Sequence, residues 1–277
     1  MSSIKNIKFD TTKPEFVKVL RKRVNAYFKE NNISRNNNSN MIFKTFFMLA
    51  IYIVPYILIL TLNLSTPIVL ALWAVIGFGM AGVGMSVMHD GNHNAYSKNP
   101  KVNKWVGYFL NICGGYDLNW RIQHNVLHHT YTNIQGMDED VDAGMILRFS
   151  KEQAKKSHHK FQHIYAWFLY GLLTISWLVS KDIIQLIKYN KKGLLETQGI
   201  SFTKALISLI FWKSIYVFII LILPTLVTHN FGANIAGFFI MEFIAGFFLT
   251  TVFLCAHIVD QAKFPVPNNE GVVEKNW

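Results

Sequence analysis

The pattern of apolar and polar positions divides this chain before any single residue matters. From Thr45 to Met88 there is no charged residue. A membrane-spanning helix needs about 20 apolar residues, so this run is long enough for two. Near its middle stands Asn63-Leu64-Ser65-Thr66-Pro67, a turn signature. The pattern therefore predicts spans over 43–63 and 67–88, joined as a hairpin. Gly77, Gly79, Gly82 and Gly84 in the second span leave room for close helix packing. Two further greasy stretches, 205–228 and 233–258, flank His229-Asn230-Phe231-Gly232 and predict a second hairpin. The stretch 164–179 is also uncharged but has only 16 residues, and lysines follow it. That length and that flank predict an interfacial helix rather than a crossing. Ahead of the spans, 14–29 has Phe16, Leu20, Val24 and Tyr27 at helical spacing, with Lys18, Arg21, Lys22 and Lys29 opposite. Arg23 lies near the apolar face. This is an amphipathic helix for a protein or membrane surface, and the Asn-rich run 31–40 is a linker.

The expected fold is an all-α integral membrane protein. It has about four transmembrane helices in two hairpins, a histidine-rich helical cap and one interfacial helix. Three regions follow: 1–40, amphipathic helix and linker; 41–265, the membrane domain; and 266–277, the start of a C-terminal cytoplasmic region. If 164–179 does not cross, the lysines at 151–160 and 181–204 share the cytoplasmic face with both termini, as the positive-inside rule favours. Lys213 falls inside the stretch 205–228 and would snorkel toward headgroups if the true span starts near it. Glu242 falls inside the last span, where a carboxylate is either functional or a packed, protonated or hydrogen-bonded side chain.

Composition narrows the function. Hydrophobic residues make up 51% of the chain and aromatic residues 14%, which suits a membrane protein with interfacial rings. The net charge of +11 is explained by topology-setting lysines, so no nucleic-acid partner is inferred. Cys113 and Cys255 are the only cysteines, too few for a disulfide framework or a thiolate metal site. The start of the chain is polar and shows no signal-peptide pattern.

Histidine carries the chemistry. Five of ten histidines fall within 89–129, as H-D-G-N-H and H-N-V-L-H-H. His89 and His93 are four apart, as are His124 and His128, so each pair shares one helix face. His129 adds a donor, and His257 returns to the same side if the second hairpin forms. Neutral imidazole suits iron, zinc, copper or nickel. Asp90, Asn92, Asn125, Asn133, Asp138, Asp140 and Asp142 can orient the rings. His158, His159 and His163 stand among lysines, which disfavours cation binding, and His229 lies in the turn on the far side of the membrane.

These motifs resemble the integral-membrane fatty acid desaturases. The similarity rests on M-H-D-G-N-H-N-A-Y (88–96), W-R-I-Q-H-N-V-L-H-H-T-Y-T-N (120–133), D-E-D (138–140) and A-H-I-V-D (256–260). It is greatest to the bacterial acyl-CoA or front-end, linoleoyl-type branch and covers most of 40–265. The resemblance implies two irons held by His89, His93, His124, His128, His129 and His257 together with a further histidine box. It implies removal of two hydrogens from a fatty acyl chain, with O2 and two electrons, to leave a cis double bond. The acyl carrier would be CoA, a carrier protein or a lipid. Asp90, Asn125, Asp138 and Asp140 would support the ligands, while Trp120, Arg121 and Gln123 would shape the substrate channel or bind a head group. No H-P-G-G haem signature occurs in the chain, so electrons would come from a separate ferredoxin or cytochrome b5. The location would be a bacterial inner membrane, with the site cytoplasmic.

One part of the family pattern is missing. A third box, Q-x-x-H-H or H-x-x-H-H, should follow A-H-I-V-D, yet no histidine follows His257 and the chain runs out through E-K-N-W. The expectation is a truncated chain that alone binds metal poorly and is inactive. The alternatives are a membrane di-iron hydroxylase of alkane, carotenoid or sterol type, and a non-catalytic remnant.

Overall fold

The computed structural model describes residues 7–9, 15–36, 38–141 and 144–273. Pro14, at the head of the expected amphipathic helix, and Asp142 lie outside them, as does 274–277. A two-residue strand β1 (Lys8–Phe9) precedes α1 (Glu15–Glu30). Next come α2 (Ser39–Thr61) and α3 (Thr66–Asn92), the first long apolar pair. Asn38 caps α2 by accepting from the Met41 N–H at 3.0 Å. Pro67 stands in the first turn of α3, where its missing N–H breaks no helix bond.

After α3 the chain forms a polar cap. It holds α4 (Pro100–Gly107) and α5, which runs continuously over 117–131. Then follow α6 (Ser157–Gly171) and α7 (Leu173–Lys191), α8 (Phe202–Thr228) and α9 (Phe231–His257). Strand β2 (Val272–Val273) pairs in parallel with β1. The expected four long apolar helices are present, each starting and ending within a few residues of the predicted bounds.

The helix α3 is central. Its most apolar stretch is 56% buried within the protein, against 17% for α8, so α3 is covered by neighbours and α8 chiefly by lipid. The glycines of α3 face two ways. A Cβ at Gly77 would lie 2.8 Å from the Met241 carbonyl of α9, and one at Gly84 would meet Leu249. A Cβ at Gly79 would lie 2.5 Å from the Tyr52 backbone nitrogen of α2, and one at Gly82 would meet Met48. Missing side chains thus let α3 approach both neighbours at backbone distance, the close packing that apolar helices need in lipid. Trp73, Ile76 and Met80 of α3 and Met241 and Ala245 of α9 form the buried core between them.

The uncharged stretch 164–179 is not a single straight helix. α6 and α7 meet at 61° across Leu172, and the break packs on the middle of α9. Thr174 donates to the Glu242 carbonyl at 2.8 Å, and Gly171 abuts Gly246. Lys213 does not snorkel. Its ammonium pairs with Asp182 of α7 and donates to the carbonyls of Gly114 and Trp177. These acceptors replace the water or headgroups that a lysine in a span would otherwise seek. Glu242 is buried and accepts from the Tyr216 hydroxyl.

Gly79→Ala should destabilise the helix pair by about 1–3 kcal/mol, because the new methyl group meets immovable backbone. Gly232→Ala, where a Cβ meets nothing within 4 Å, is the control. Equal unfolding midpoints for both variants in detergent would contradict this packing.

Candidate metal centre

Three elements deliver histidines to one place. Val83–Met88 is a π-helical turn within α3, and His89 follows it directly. In α5, Arg121–His128 is also π-helical and carries His124 and His128. His257 is the last residue of α9. π-Turns are rare and concentrate at functional sites. Here they adjust the direction in which the rings leave their helices.

All six predicted histidines converge. The His89 and His93 ring centres are 4.5 Å apart, and those of His93 and His124 are 5.1 Å apart. His129 reaches His93 with Nε2 atoms 3.4 Å apart and sits 4.7 Å from His124, centre to centre. His257 stands 4.4 Å from His128. The two rings of the second pair stack, 5.2 Å apart and tilted by 16°. Two sets of donor atoms lie within 4.8 Å of one another: His89, His93 and His124, then His124, His128 and Asp140. Phe253 of α9 closes the side by His124 and His128.

The acidic run after α5 orients this cluster. Asp138 Oδ1 lies 2.9 Å from His128 Nδ1, and Asp140 Oδ2 lies 2.9 Å from His124 Nδ1. Each carboxylate accepts the Nδ1–H and leaves Nε2 as the lone-pair nitrogen. His128 Nε2 is buried and has no hydrogen-bond partner among the described residues. A buried acceptor left without a donor calls for a ligand. Asp138 is itself fixed, accepting from the N–H groups of Asn133 at 2.7 Å and Asp140 at 3.0 Å.

The other predicted residues are placed as follows. Asp90 approaches His89 Nδ1 at 3.5 Å. Asn125 donates to the Asn92 carbonyl at 2.8 Å and so ties the two boxes together. Asn92 donates in turn to the Gly107 carbonyl. Trp120 stacks on His124 at 4.4 Å and meets His89 and His93 edge-on. Arg121 pairs with Asp117 at 3.3 Å, one turn back on α5. Gln123 is buried and bridges Asp140 to Gln185. His158 and His159 both point Nε2 at the Met145 carbonyl, away from the six. His229 adopts a left-handed conformation at the end of α8 and takes no part.

Several site residues were not foreseen. Between the two aspartates, Glu139 turns the opposite way, toward α7. It accepts from Tyr189 at 2.8 Å and pairs with Lys188 at 2.6 Å and Lys192 at 3.7 Å. Asp182 accepts from Asn119 of α5, and Gln185 donates to Gln123. Asp182, Gln185 and Tyr189 fall at helical spacing, a polar stripe on α7 that Lys192 continues just past its end. That spacing was the available signal, hidden within what looked like a basic flank.

The electrostatics favour neutral imidazole at His93 and His129 and the protonated ring at His128. Burial, followed by the cationic forms of His89, His124 and His129, pushes His93 down from 6.5 to about 4. Burial and the same crowding lower His129. Burial also works against His128 protonation, but its bond to Asp138 and the charge of Asp140 outweigh it and raise the pKa. Asp140 is held low: burial would raise it, but the bonds from His124 and Gln123 prevail. Uncharged rings with fixed tautomers are what a metal requires of histidine.

Comparison with known proteins agrees with this geometry. The fold and site define a helical membrane protein built around a six-histidine cluster. The model of the family described as "Fatty acid desaturase" matches residues 65–275. An sn-1 linoleoyl-lipid 6-desaturase of Synechocystis sp. is 30% identical over 280 residues, covering 100% of this chain and 77% of the relative. The enzyme of the same name from Arthrospira platensis is 32% identical, covering 92% and 68%. An acyl-lipid (8-3)-desaturase of Physcomitrium patens is 32% identical, covering 97% and 56%. No solved structure matches the chain. The chain belongs to the fatty acid desaturase family, and it spans about half to three-quarters of the length of these relatives.

Two outcomes follow. Cobalt(II) titration should show roughly 10- to 100-fold weaker binding for Asp138→Asn, by analogy with other outer partners of ligating histidines. Glu139→Gln should show a smaller loss in the same direction. Unchanged binding in both would refute the orienting role of the acidic run. Acid should also destabilise the metal-free protein. Below about pH 6.5 the unfolded chain binds a proton that native His93 refuses until about pH 4. Stability is therefore lost as pH falls through that window, and His93→Asn should flatten the dependence of the unfolding midpoint.

Proposed function

We propose that this chain serves the desaturation of an acyl chain carried on a membrane lipid, with the six-histidine cluster as ligands to two irons. The observation that carries the proposal is His128. Its Nδ1 is bound to Asp138 while its Nε2 is buried without a partner, beside five other histidines. Asp140 prepares His124 in the same way. Imidazole donors suit iron, so the residues present fit the group. His89, His93 and His129 lie on the side of the first box, and His128 and His257 on the side of α9, with His124 between. Bound iron would supply the O2-dependent oxidation that unactivated C–H bonds require and that side-chain acids and bases do not provide.

The chain's own residues prepare that chemistry. Asp138 and Asp140 set the tautomers of His128 and His124. Trp120 and Phe253 wall the cluster with apolar rings. The cluster stands where α3 and α9 end, so an acyl chain can reach it from the bilayer while its polar head stays at the surface. The named relatives are acyl-lipid desaturases, which supports a lipid-linked substrate over CoA or a carrier protein. Two electrons per turnover would come from a separate ferredoxin or cytochrome b5. The cluster would face the cytoplasm.

The test is expression with a reduced donor, with and without a second segment bearing Q-x-x-H-H. Bound iron should be stronger in the presence of that segment, and His128→Ala should abolish it in both cases. Acyl lipids should then lose two hydrogens by mass. Gain of oxygen would assign a hydroxylase instead, and zinc alone, or no metal in either case, would leave a non-catalytic protein.

A further inference from the structure

The helix α6 packs on a membrane-spanning helix yet leaves an apolar face uncovered. Its C-terminal half lies along α9. Thr250 donates to the Tyr170 carbonyl at 3.2 Å, Trp167 meets Phe247 with ring centres 6.1 Å apart, and Gly171 abuts Gly246. α9 starts at Phe231, and the about 20 residues that fill the hydrocarbon carry it to Thr250, so this half of α6 stands inside the bilayer. Phe161, Ile164 and Phe168 share one face of α6 and are 52–63% exposed. Phe168 also touches Phe243 of α9, so that face continues the lipid-facing surface of α9. The pair α6–α7 does not cross. Met145, which is bonded to the start of α6, follows Asp140 by five residues, a reach of at most about 18 Å. α7 returns to the cap through Asp182 and Gln185. Both ends of the pair thus stand on the side of the histidine cluster, with the bend at Leu172 inside the membrane.

A loop is fastened to the start of this helix. The Met145 carbonyl accepts from the Nε2–H groups of His158 and His159, at 2.9 and 3.0 Å. His159 Nδ1 accepts from the Lys156 N–H at 3.0 Å, which fixes the hydrogen on Nε2. The Arg148 N–H donates to Gln162 at 2.7 Å, and the Arg148 carbonyl accepts from the same side chain at 3.0 Å. The Tyr165 hydroxyl donates to the Ile146 carbonyl at 2.7 Å. Gln162 and Tyr165 lie on the edge of α6 next to the face formed by Phe161, Ile164 and Phe168, so the loop runs beside the lipid-facing stripe. With its carbonyls bound to α6, the loop leaves Met145 and Ile146 72% and 61% exposed. Two large apolar side chains held out in this way are unfavourable in water; at the edge of a lipid-facing helix they are not. Lys151, Lys155, Lys156 and Lys160, all exposed, surround the same end of α6, as basic side chains do where they meet headgroup phosphates.

We infer that α6 and the loop 145–148 form a half-inserted membrane anchor: Met145 and Ile146 enter the leaflet beside Phe161, Ile164 and Phe168, while Lys151, Lys155, Lys156 and Lys160 meet the headgroups. The occupant of this surface is the leaflet itself, by continuity with the bilayer around α9. The anchor is independent of the histidine cluster and of any metal there. Its place in the chain still matters to that cluster, because the acidic run that orients His124 and His128 ends five residues before a point fixed at the membrane.

The full chain carrying Cys255→Ser is placed in nanodiscs of phosphatidylcholine and phosphatidylglycerol, with one nitroxide label at a time on Met145→Cys, Ile146→Cys or Glu152→Cys. Cys113 is buried and takes no label. Power saturation then reads collision of each label with O2 and with a water-soluble nickel chelate. The labels at 145 and 146 should favour O2 and lie about 5–10 Å inside the leaflet, the depth of an interfacial apolar face. The label at 152, an exposed carboxylate position, should favour nickel. With H158A/H159A/Q162A added, the label at 145 should lose its depth and approach the nickel access of 152. Equal nickel access at 145 and 152 with the clamp intact would overturn the proposal. So would protection of 145 from both reagents, because a protein surface rather than lipid would then cover the loop. Unchanged depth at 145 without the three clamping side chains would overturn the part assigned to α6.

Discussion

The rest of the site depends on one type of contact, a carboxylate accepting from the Nδ1–H of a buried imidazole. Asp138 with His128 and Asp140 with His124 both show it at 2.9 Å. A buried histidine without such a partner would choose between tautomers according to local polarity. With the partner in place its lone pair is aimed. Everything around the two aspartates serves to keep them still: backbone N–H groups on Asp138, Gln123 on Asp140, and Glu139 drawn outward to Tyr189 and Lys188. Three successive acids would repel one another if they faced one way. The alternation of in, out and in, with lysines meeting the outward member, removes that conflict.

Behind this first layer lies a second that ties the cap to the membrane helices. Asp182 of α7 meets Lys213 of α8 and Asn119 of α5, while Gln185 of α7 reaches Gln123. The buried ion pair has few alternatives available, since Lys213 is also held by two carbonyls. Such pairs contribute less net stability than specificity of arrangement. In this protein the arrangement specified is the seat of α5, and α5 carries three of the six histidines.

Much of this was legible in the sequence, because the membrane reduces the choices. An uncharged run of that length has room for two spans, and a Ser-Thr-Pro break tells where they part. The glycines of α3 announced close packing, and the histidine spacings announced a shared centre. Less legible was anything that depended on partners far apart in sequence. Lys213 looked like a snorkelling lysine because Asp182 is not adjacent to it in the chain. The bond between Gln123 and Gln185 was hidden because nothing near Gln123 in the chain announces it. The bend between α6 and α7 was hidden because Leu172 is an ordinary helix former, and only packing on α9 shows where the helix yields. The D-E-D run was visible as a group, but its split into two inward acids and one outward acid follows from the lysines of α7.

The π-turns carry a consequence of their own. A hydrogen bond to the fifth residue rather than the fourth holds one more residue in the turn than an α-helix does. Val83–Met88 and Arg121–His128 are therefore sites where one residue has in effect been absorbed without lengthening the helix by a full step. With the residue count unchanged, relaxation of either turn to α-helix would rotate everything beyond it by about 100°. His89 and His93 would swing off the cluster in the first case. The placing of the histidine boxes therefore depends on both turns keeping their extra residue.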